Sequence, residues 1–373
     1  MNPLLKLHSL GQRVWLDNLS RTLLREGKLK RLIDEDGLAG VTSNPTIFYK
    51  AMSESPYYRD ELARLKSDRS LSAEERYERL AVPDIQGACD LLRPLYERTG
   101  FEDGYVSLEV SPALAHDTKG TVAAARRLKK AVSRDNLLVK VPATPEGIPA
   151  IETLIGGGIS INVTLMFSLG HVDQVAQAYI RGIRKFIGGG GDARRVKSVA
   201  SLFLSRVDTL IDNALESKGS DAPSLHGKTG VALAKLAYQA YKKNFGGPDF
   251  TALAKKGARP QWMLWASTGT KNKAYSDVMY VEPLIGPETI NTLPDATLDA
   301  FRDHGRAAAT VEQEVDDAHK QYEALAKAGI DMVAVGTQLQ VEGVKSFADS
   351  FTKLLELMHV PTDKVASPVI GNR

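Results

Sequence analysis

The chain contains eight short, largely apolar runs that alternate with longer segments of helical periodicity. The runs are Arg13–Asp17, Gly40–Asn44, Val106–Val110, Leu137–Val141, Ser160–Thr164, Val196–Ser201, Trp262–Ser267 and Val278–Pro283. Apolar strands of this kind are typical of parallel sheets buried on both faces, and the helices between them indicate right-handed crossovers. Eight such units predict an α/β fold in which the strands close into a single (β/α)8 TIM barrel.

Two of the connections between the runs are much longer than one βα unit requires. Asn44 and Glu109 are 65 positions apart, and Ser201 and Ser267 are 66 positions apart. Both connections contain additional helix-like sequence, so we expect helical insertions after strands 2 and 6. Other helices are expected at 118–130, 225–245, 310–328 and 338–358, within one barrel domain that spans residues 1–373.

Composition and charge argue against several functional classes. The net charge is only +3, and basic residues are mixed with acidic ones, so we expect no nucleic-acid partner. No apolar stretch approaches the roughly 18 residues of a membrane span. A single cysteine, Cys89, excludes a disulfide within the chain and a cysteine metal cluster. The seven histidines show no metal-ligand spacing, so we predict no metal site. The lone cysteine is typical of a reducing compartment, and with no signal-peptide pattern or membrane span we expect a cytoplasmic protein.

Polar residues interrupt several of the apolar runs close to their carboxyl ends. They are Asp17, Asn44, Glu109, Lys140, Asn162 and Thr164. A buried charge costs several kcal/mol unless it is paired or neutralised, so these positions require an explanation. The carboxyl ends of barrel strands converge on one pocket, where barrel enzymes carry out their chemistry. We therefore expect these side chains to meet at a single site.

Lys140 is the most informative of these residues, because it places an ammonium group inside a predicted core strand. It lies between Val139 and Val141 in the sequence LLVKVP. Burial among apolar neighbours disfavours the charged form of an amine. A neutral amine can attack a carbonyl group and form an imine, so Lys140 is a candidate nucleophile.

Glu109 and Asp17 are the acids available to assist imine chemistry. Carbinolamine collapse requires a group that delivers and removes protons, and aldol cleavage requires a base for the hydroxyl proton of the leaving aldehyde. Two carboxyl groups in different environments can divide these tasks. The sequence alone leaves open which carboxyl group performs which task.

These residues lie in sequence blocks that resemble the transaldolase family, in family order over residues ~13–285. The blocks are WLDNL (15–19), GVTSNPT (40–46), VSLEVS (106–111), LLVKVPATPEG (137–147), INVTLMFS (161–168), ASLFLSR (200–206) and WAST (265–268). The TSNP and KVPATPEG sequences are the most specific of these. The chain length is similar to that of the longer bacterial-type branch of the family.

The resemblance implies roles for the polar residues at the strand ends. Lys140 resembles the Schiff-base lysine of the family. Asp17 resembles the residue that acts as acid and base on the C4 hydroxyl of the donor. Glu109 and Thr164 resemble the pair that handles the catalytic water.

Further resemblances imply the residues that bind substrate. Asn44 and Asn162 resemble the groups that hydrogen-bond the substrate hydroxyls, and Phe203 matches an aromatic residue near the donor. Arg206, with Ser201 and Ser267, resembles a phosphate-binding group, a role that suits the planar guanidinium. The family often has an arginine two residues after Ser267, and we expect Lys271 to take that role here.

The implied activity is the reversible transfer of a dihydroxyacetone unit from sedoheptulose 7-phosphate to glyceraldehyde 3-phosphate, a step of the non-oxidative pentose phosphate pathway. Sugar phosphates would be its substrates, and no cofactor is expected because the protonated imine is the electron sink. An aldolase of the fructose 6-phosphate type is one alternative, although Glu109 with Thr164 favours transaldolase. A non-catalytic sugar-phosphate-binding barrel is another. The sequence leaves open whether the protein is a monomer or a homodimer.

Overall fold

Eight parallel strands close into a barrel in the computed structural model, which describes residues 2–217 and 225–360. Each strand pairs with its neighbours in chain order, and β8 pairs with β1 to close the sheet. The strands are β1 Gln12–Leu16, β2 Gly40–Val41, β3 Tyr105–Glu109, β4 Leu137–Pro142, β5 Ile161–Met166, β6 Ser198–Phe203, β7 Trp262–Ala266 and β8 Thr289–Leu293. The predicted (β/α)8 barrel is confirmed.

Helices surround the barrel. Among the described residues they are α1 Pro3–Ser9, α2 Arg21–Arg25, α3 Lys28–Asp36, α4 Pro45–Glu54, α5 Arg59–Ser67, α6 Ala73–Arg98, α7 Thr118–Val132, α8 Gly147–Ile155, α9 Leu169–Gly188, α10 Ser205–Ser217, α11 Thr229–Gly246, α12 Pro248–Ala254, α13 Asp295–His304, α14 Val315–Lys327 and α15 Met332–Met358. Short 3-10 turns occur at Pro56–Tyr58, Pro112–Leu114, Ala193–Arg195 and Glu282–Leu284. No helix in these ranges is both long and apolar enough to cross a membrane.

The two long connections consist mainly of helix. Helices α4, α5 and α6 lie between β2 and β3, and α10, α11 and α12 lie between β6 and β7. Residues 218–224, in the second connection, are outside the described residues, as are the two ends of the predicted 1–373 domain. The 26-residue helix α6 begins with a capping box, in which Ser72 and Glu75 each bond the other's backbone N–H.

The prediction of the eighth strand was wrong. Val278–Pro283 was expected to be a strand, but these residues form turns that lead into the 3-10 turn Glu282–Leu284. The true β8, Thr289–Leu293, pairs with all five residues of β1. The sequence VMYV has the apolar and β-branched character of a strand, yet Val278 and Tyr280 are buried as anchors of a loop. The sequence TINTL was overlooked because three of its five residues are polar.

A cluster of charged side chains closes the amino-terminal end of the barrel. Lys197 is buried, lies 2.7 Å from Glu102 and stands 3.7 Å from the centre of the Trp262 ring. Arg13 contacts the same ring and pairs with Asp103 at 2.9 Å. These residues precede or begin their strands, so their side chains fill the amino-terminal end of the barrel.

Helix α15 packs across the carboxyl end of the barrel. The Gln340 amide donates hydrogen bonds to the carbonyl oxygens of Ala143 (2.8 Å) and Leu165 (3.2 Å), just beyond β4 and within β5. A Cβ atom on Gly336 would lie 2.6 Å from that of Ser168, and one on Gly343 would lie 2.9 Å from the Leu165 side chain. The two glycines thus allow close contact between α15 and the end of β5, which brings Phe347 over the barrel mouth.

Candidate active site

A cavity of about 260 Å³ opens at the carboxyl ends of the strands. Nine of the eleven predicted site residues line it, namely Asp17, Asn44, Lys140, Thr164, Ser201, Phe203, Arg206, Ser267 and Lys271. The other two, Glu109 and Asn162, do not line it but contact residues that do. The barrel therefore brings the predicted side chains together at one end.

Lys140 is held in the interior of the barrel by a carboxylate and a backbone carbonyl. It lies on β4 and is only 4% exposed. Its Nζ is 3.2 Å from Oε2 of Glu109 and donates a hydrogen bond to the carbonyl oxygen of Ser43 at 3.1 Å. Glu109 and Lys140 are register partners on β3 and β4, and side chains at paired positions point to the same face. The register thus aligns the amine with its acid.

The surroundings of the Glu109 carboxyl group act on its pKa in opposite directions. Burial raises the pKa of its carboxyl group above the ordinary value, while the positive charge and hydrogen bonding of Lys140 oppose this rise. Within the described residues, Oε2 of Glu109 and Oγ1 of Thr164 are buried without a hydrogen bond of good geometry. Buried polar atoms normally have such partners. Thr164 Oγ1 thus has no partner in this part of the chain, whereas Oε2 of Glu109 faces Lys140 Nζ at 3.2 Å.

The backbone of β5 changes course immediately after Thr164. Leu165 has a left-handed conformation with φ of +58°, which is unusual for a leucine. The pairing of β5 with β6 shifts register between Val163 and Met166. Such irregularities in a strand re-aim side chains and are frequent beside active sites. This one turns the strand just after the residue that lines the cavity.

Asp17 follows β1 and is half-buried at the cavity wall. Its Oδ1 accepts a hydrogen bond from Thr42 Oγ1 at 2.7 Å, and Thr42 accepts one from Thr292 Oγ1 at 2.6 Å. Burial raises the pKa of Asp17, whereas the charge of Lys140 and the Thr42 hydrogen bond lower it. The hydroxyl chain orients the carboxyl group and stabilises its ionised form.

Asn162 lies beneath the cavity floor and is fully buried on β5. Its amide nitrogen donates to Ser107 Oγ at 3.0 Å, and its amide oxygen accepts from Ser201 Oγ at 2.6 Å. Of these residues only Ser201 lines the cavity. Asn162 therefore holds Ser201 in place. Contact between Asn162 and substrate remains a prediction.

Asn44 has a structural role as well as its place at the cavity. It is the N-cap of α4, and its side-chain oxygen accepts a hydrogen bond from the Ile47 backbone N–H at 3.0 Å. Pro45 follows as the first helical residue, which suits its fixed φ and missing N–H. The cap uses the side-chain oxygen of Asn44, and its predicted contact with substrate remains to be tested.

Arg206 is a partly buried cation at the start of α10. In the described part of the chain, no acceptor lies within hydrogen-bond or ion-pair distance of its guanidinium. The guanidinium contacts the faces of Phe203 and Phe347, at 5.5 and 5.8 Å from the ring centres. Burial lowers the pKa of Arg206, yet arginine remains charged in proteins. A rigid cation without an internal partner is well suited to bind an anion.

Ser267 and Lys271 extend the same side of the cavity. Ser267 has a φ of +54°, and its hydroxyl lies 2.8 Å from that of Ser205 in the first turn of α10. Lys271 is exposed and lines the cavity rim. The helix N-terminus beside Arg206 adds a favourable field for an anion.

Three residues of the site were not identified from the sequence. Thr42 belongs to the GVTSN run, and its place on a strand end beside Asp17 was a usable signal. Thr292 lies on the overlooked β8, so no signal for it was available. Phe347 lies on α15, and its ring centre is 5.8 Å from Lys140 Nζ. Helical periodicity alone does not show that a residue near the end of the chain covers an active site.

The described residues contain no group of three or more His, Cys, Asp or Glu side chains that could hold a metal ion.

The chain is similar to known proteins over nearly its whole length. The family model described as Transaldolase/Fructose-6-phosphate aldolase matches residues 14–358. A transaldolase of Thiobacillus denitrificans is 57% identical over 95% of this chain and 99% of its own length. A transaldolase of Neisseria gonorrhoeae is 47% identical over 95% of this chain and 99% of its own. "Transaldolase 2" of a Nostoc species is 44% identical over 99% of this chain and its own full length. The chain belongs to the transaldolase/fructose-6-phosphate aldolase family.

Proposed function

We propose that this protein is a transaldolase that moves a dihydroxyacetone unit between sugar phosphates through a Schiff base on Lys140. The observation that carries the proposal is the buried Lys140–Glu109 pair, which adjoins a cavity shared with Asp17 and Arg206. The amine, the Asp17 carboxyl group and the Arg206 cation thus line one cavity, and the Glu109 carboxyl group lies directly behind the amine. The names of the relatives, whose similarity covers nearly the whole chain, support the same activity.

The first half of the reaction forms the imine. A proton passes from Lys140 Nζ to Glu109, which leaves the amine neutral. The amine attacks the C2 carbonyl carbon of the donor ketose, and the carbonyl oxygen takes a proton to give a carbinolamine. A second proton on that oxygen allows it to leave as water, while the nitrogen lone pair forms the C=N bond. Glu109, 3.2 Å from Nζ, is placed to pass these protons. Thr164, whose hydroxyl lacks a partner in the described residues, would hold the water.

The second half breaks and remakes a carbon–carbon bond. Asp17 removes the proton from the C4 hydroxyl, and the C4–O bond becomes the carbonyl of the leaving aldose phosphate. The electron pair of the C3–C4 bond moves into the protonated imine and gives an enamine on Lys140. An acceptor aldose phosphate, erythrose 4-phosphate or glyceraldehyde 3-phosphate, is then attacked by the enamine carbon. Asp17 returns the proton to the new hydroxyl, and hydrolysis of the imine releases the product.

The phosphate end of the substrate would bind on the α10 side of the cavity. The Arg206 fork and the hydroxyl of Ser267 supply donors with the geometry that phosphate oxygens prefer. Lys271 adds a second positive charge at the rim. The aromatic rings of Phe203 and Phe347 exclude water beside the guanidinium, which strengthens its attraction for an anion.

We further propose that the enzyme acts in the cytoplasm, as one barrel domain without a nucleic-acid partner. The lone Cys89 is buried, and burial raises the pKa of its thiol to about 12. The thiol therefore stays protonated and inert, as expected of a structural cysteine.

The assignment is tested by the stoichiometry of donor cleavage. Fructose 6-phosphate alone should release about one equivalent of glyceraldehyde 3-phosphate per active site and then stop, because the dihydroxyacetone unit stays attached. Added erythrose 4-phosphate should restore continuous turnover. Lys140→Met, of similar length, should abolish both phases, whereas Lys235→Met removes a buried lysine of α11 and should retain them. Continuous release of free dihydroxyacetone without an acceptor would indicate an aldolase instead.

The pH dependence of kcat/KM should reveal the role of Asp17. The base form must be ionised, so activity falls as pH decreases through the raised pKa of Asp17. Thr42→Val removes a hydrogen bond that lowers this pKa, and the acid limb should move to higher pH. Thr46→Val removes another hydroxyl from the cavity, one that is bonded to Ser350 and not to Asp17, and it should leave the acid limb in place. An unchanged acid limb in Thr42→Val would exclude Asp17 as the group that sets it.

Arg206→Ala should weaken binding of phosphorylated substrates. A charge-assisted contact contributes about 1.5–3 kcal/mol, so KM should rise about 10- to 150-fold. The KM for an unphosphorylated acceptor such as glyceraldehyde should change little. Arg184→Ala, at an exposed position of α9, serves as the control for loss of charge. An equal loss with both acceptors would argue against a phosphate-binding role.

A further inference from the structure

The connection between β7 and β8 is attached along one face of α10. Three residues of this helix contact it, namely Ser205, Asp208 and Asp212. Their partners are Ser267 Oγ at 2.8 Å, Tyr280 OH at 2.7 Å and Tyr275 OH at 2.8 Å. Positions i, i+3 and i+7 share one side of a helix, so the three contacts form a continuous row. The helix that carries Arg206 thus also carries the attachment points of this connection.

Asp212 makes the outer contact of the row, with Tyr275, and both oxygens of its carboxylate accept hydrogen bonds. Oδ2 accepts from the Tyr275 hydroxyl, and Oδ1 accepts from the Gly227 backbone N–H at 3.0 Å. Gly227 has a φ of +65°, and a Cβ atom there would lie 2.6 Å from Cζ of Tyr275. Only glycine lets the tyrosine ring reach the carboxylate. We call Asp212 and Tyr275 the tyrosine anchor.

The inner contact, Asp208 with Tyr280, is part of the core. Asp208 and Tyr280 are both buried, and Asp208 Oδ1 also accepts from the Gly230 backbone N–H at 2.9 Å. This contact holds the start of α11 as well as the connection. Loss of the Asp208–Tyr280 contact would therefore disturb folding. The tyrosine anchor lies nearer the surface, so it can be removed without loss of the inner contact.

Lys271 lies midway between two attachment points. It is four residues after Ser267, which is bound to Ser205, and four residues before Tyr275, which is bound to Asp212. Within this segment, Thr270 Oγ1 donates to the Ser276 carbonyl at 2.8 Å and Asn272 caps the following turn. Lys271 itself makes no ion pair with any described residue, although it lines the cavity. Its position depends on the two ends of the segment.

We propose that Asp212 and Tyr275 are positioning residues that hold Lys271 at the cavity, so that one helix fixes both cations of the phosphate site. The inference rests on the proposed function, because it takes a sugar phosphate as the ligand. A flexible lysine on an unanchored loop would lose side-chain and backbone entropy on binding, and the anchor removes the backbone part before substrate arrives. Burial and the nearby carboxylate raise the pKa of Tyr275 to about 12, so its hydroxyl remains a donor at assay pH.

The anchor is tested with Tyr275→Phe, alone and combined with Lys271→Ala. Tyr275→Phe should raise the KM for erythrose 4-phosphate about 3- to 10-fold, which is the range of one hydrogen bond, with kcat nearly unchanged. The KM for unphosphorylated glyceraldehyde should stay the same. In the Lys271→Ala background, Tyr275→Phe should add nothing, because the residue it positions is gone. Asp212→Ala, which removes both acceptor oxygens, should resemble Tyr275→Phe.

Tyr241→Phe is the matched control. It removes a tyrosine–carboxylate hydrogen bond of 2.7 Å to Glu288, which precedes β8 at the amino-terminal end of the barrel. It should leave both KM values unchanged even where it lowers the Tm.

Three results would overturn the anchor. The first is an equal KM increase for both acceptors in Tyr275→Phe, and the second is an additive effect of Tyr275→Phe and Lys271→Ala. The third is a lower Tm without a phosphate-specific KM change, which would show that the contact is only structural. Failure of the proposed function is seen separately, because the wild-type protein would then not transfer the dihydroxyacetone unit at all.

Discussion

The ion pair between Lys140 and Glu109 is the constraint on which the rest of the active site depends. Two charges buried 3.2 Å apart require good geometry and further hydrogen bonds, because desolvation otherwise exceeds their attraction. The barrel meets this requirement through register, since the two residues are opposite one another on adjacent parallel strands. The Ser43 carbonyl provides another acceptor for the amine, and Ser43 in turn donates to the Ser107 carbonyl at 2.7 Å. Displacing β3 by one residue would separate the pair.

The site separates its chemistry from its recognition of charge. The groups that we propose to move protons lie on or directly after β1, β3 and β4, where backbone hydrogen bonds of the sheet hold them firmly. The cations proposed to bind phosphate lie on α10 and on the loop after β7, where sequence can vary without disturbing the barrel. Helix α15 joins the two regions, because Phe347 contacts both Lys140 and Arg206. A substrate bound at the cations would present its carbonyl to the amine.

Much of the barrel could be predicted from the sequence, for a clear physical reason. A strand buried on both faces must be apolar, so a lysine or a glutamate within it is conspicuous, and seven of the predicted strands overlap the observed ones. The eighth was misplaced because burial alone does not distinguish a strand from an anchored loop. Val278 and Tyr280 are as apolar as strand residues, but they hold the loop that carries Lys271. Thr292, the hydroxyl partner of Thr42, was missed with that strand. Phe347 was missed because Lys140 and Arg206, which it contacts, are far from it in the sequence.

The central claim is that Lys140 forms an imine with the donor sugar, and borohydride trapping tests it most directly. The protein is mixed with fructose 6-phosphate, reduced, digested and mapped by mass spectrometry. We expect a reduced dihydroxyacetone adduct on Lys140, and addition of erythrose 4-phosphate before reduction should remove it. An adduct on another lysine such as Lys271, or no adduct in a protein that still catalyses transfer, would contradict the account.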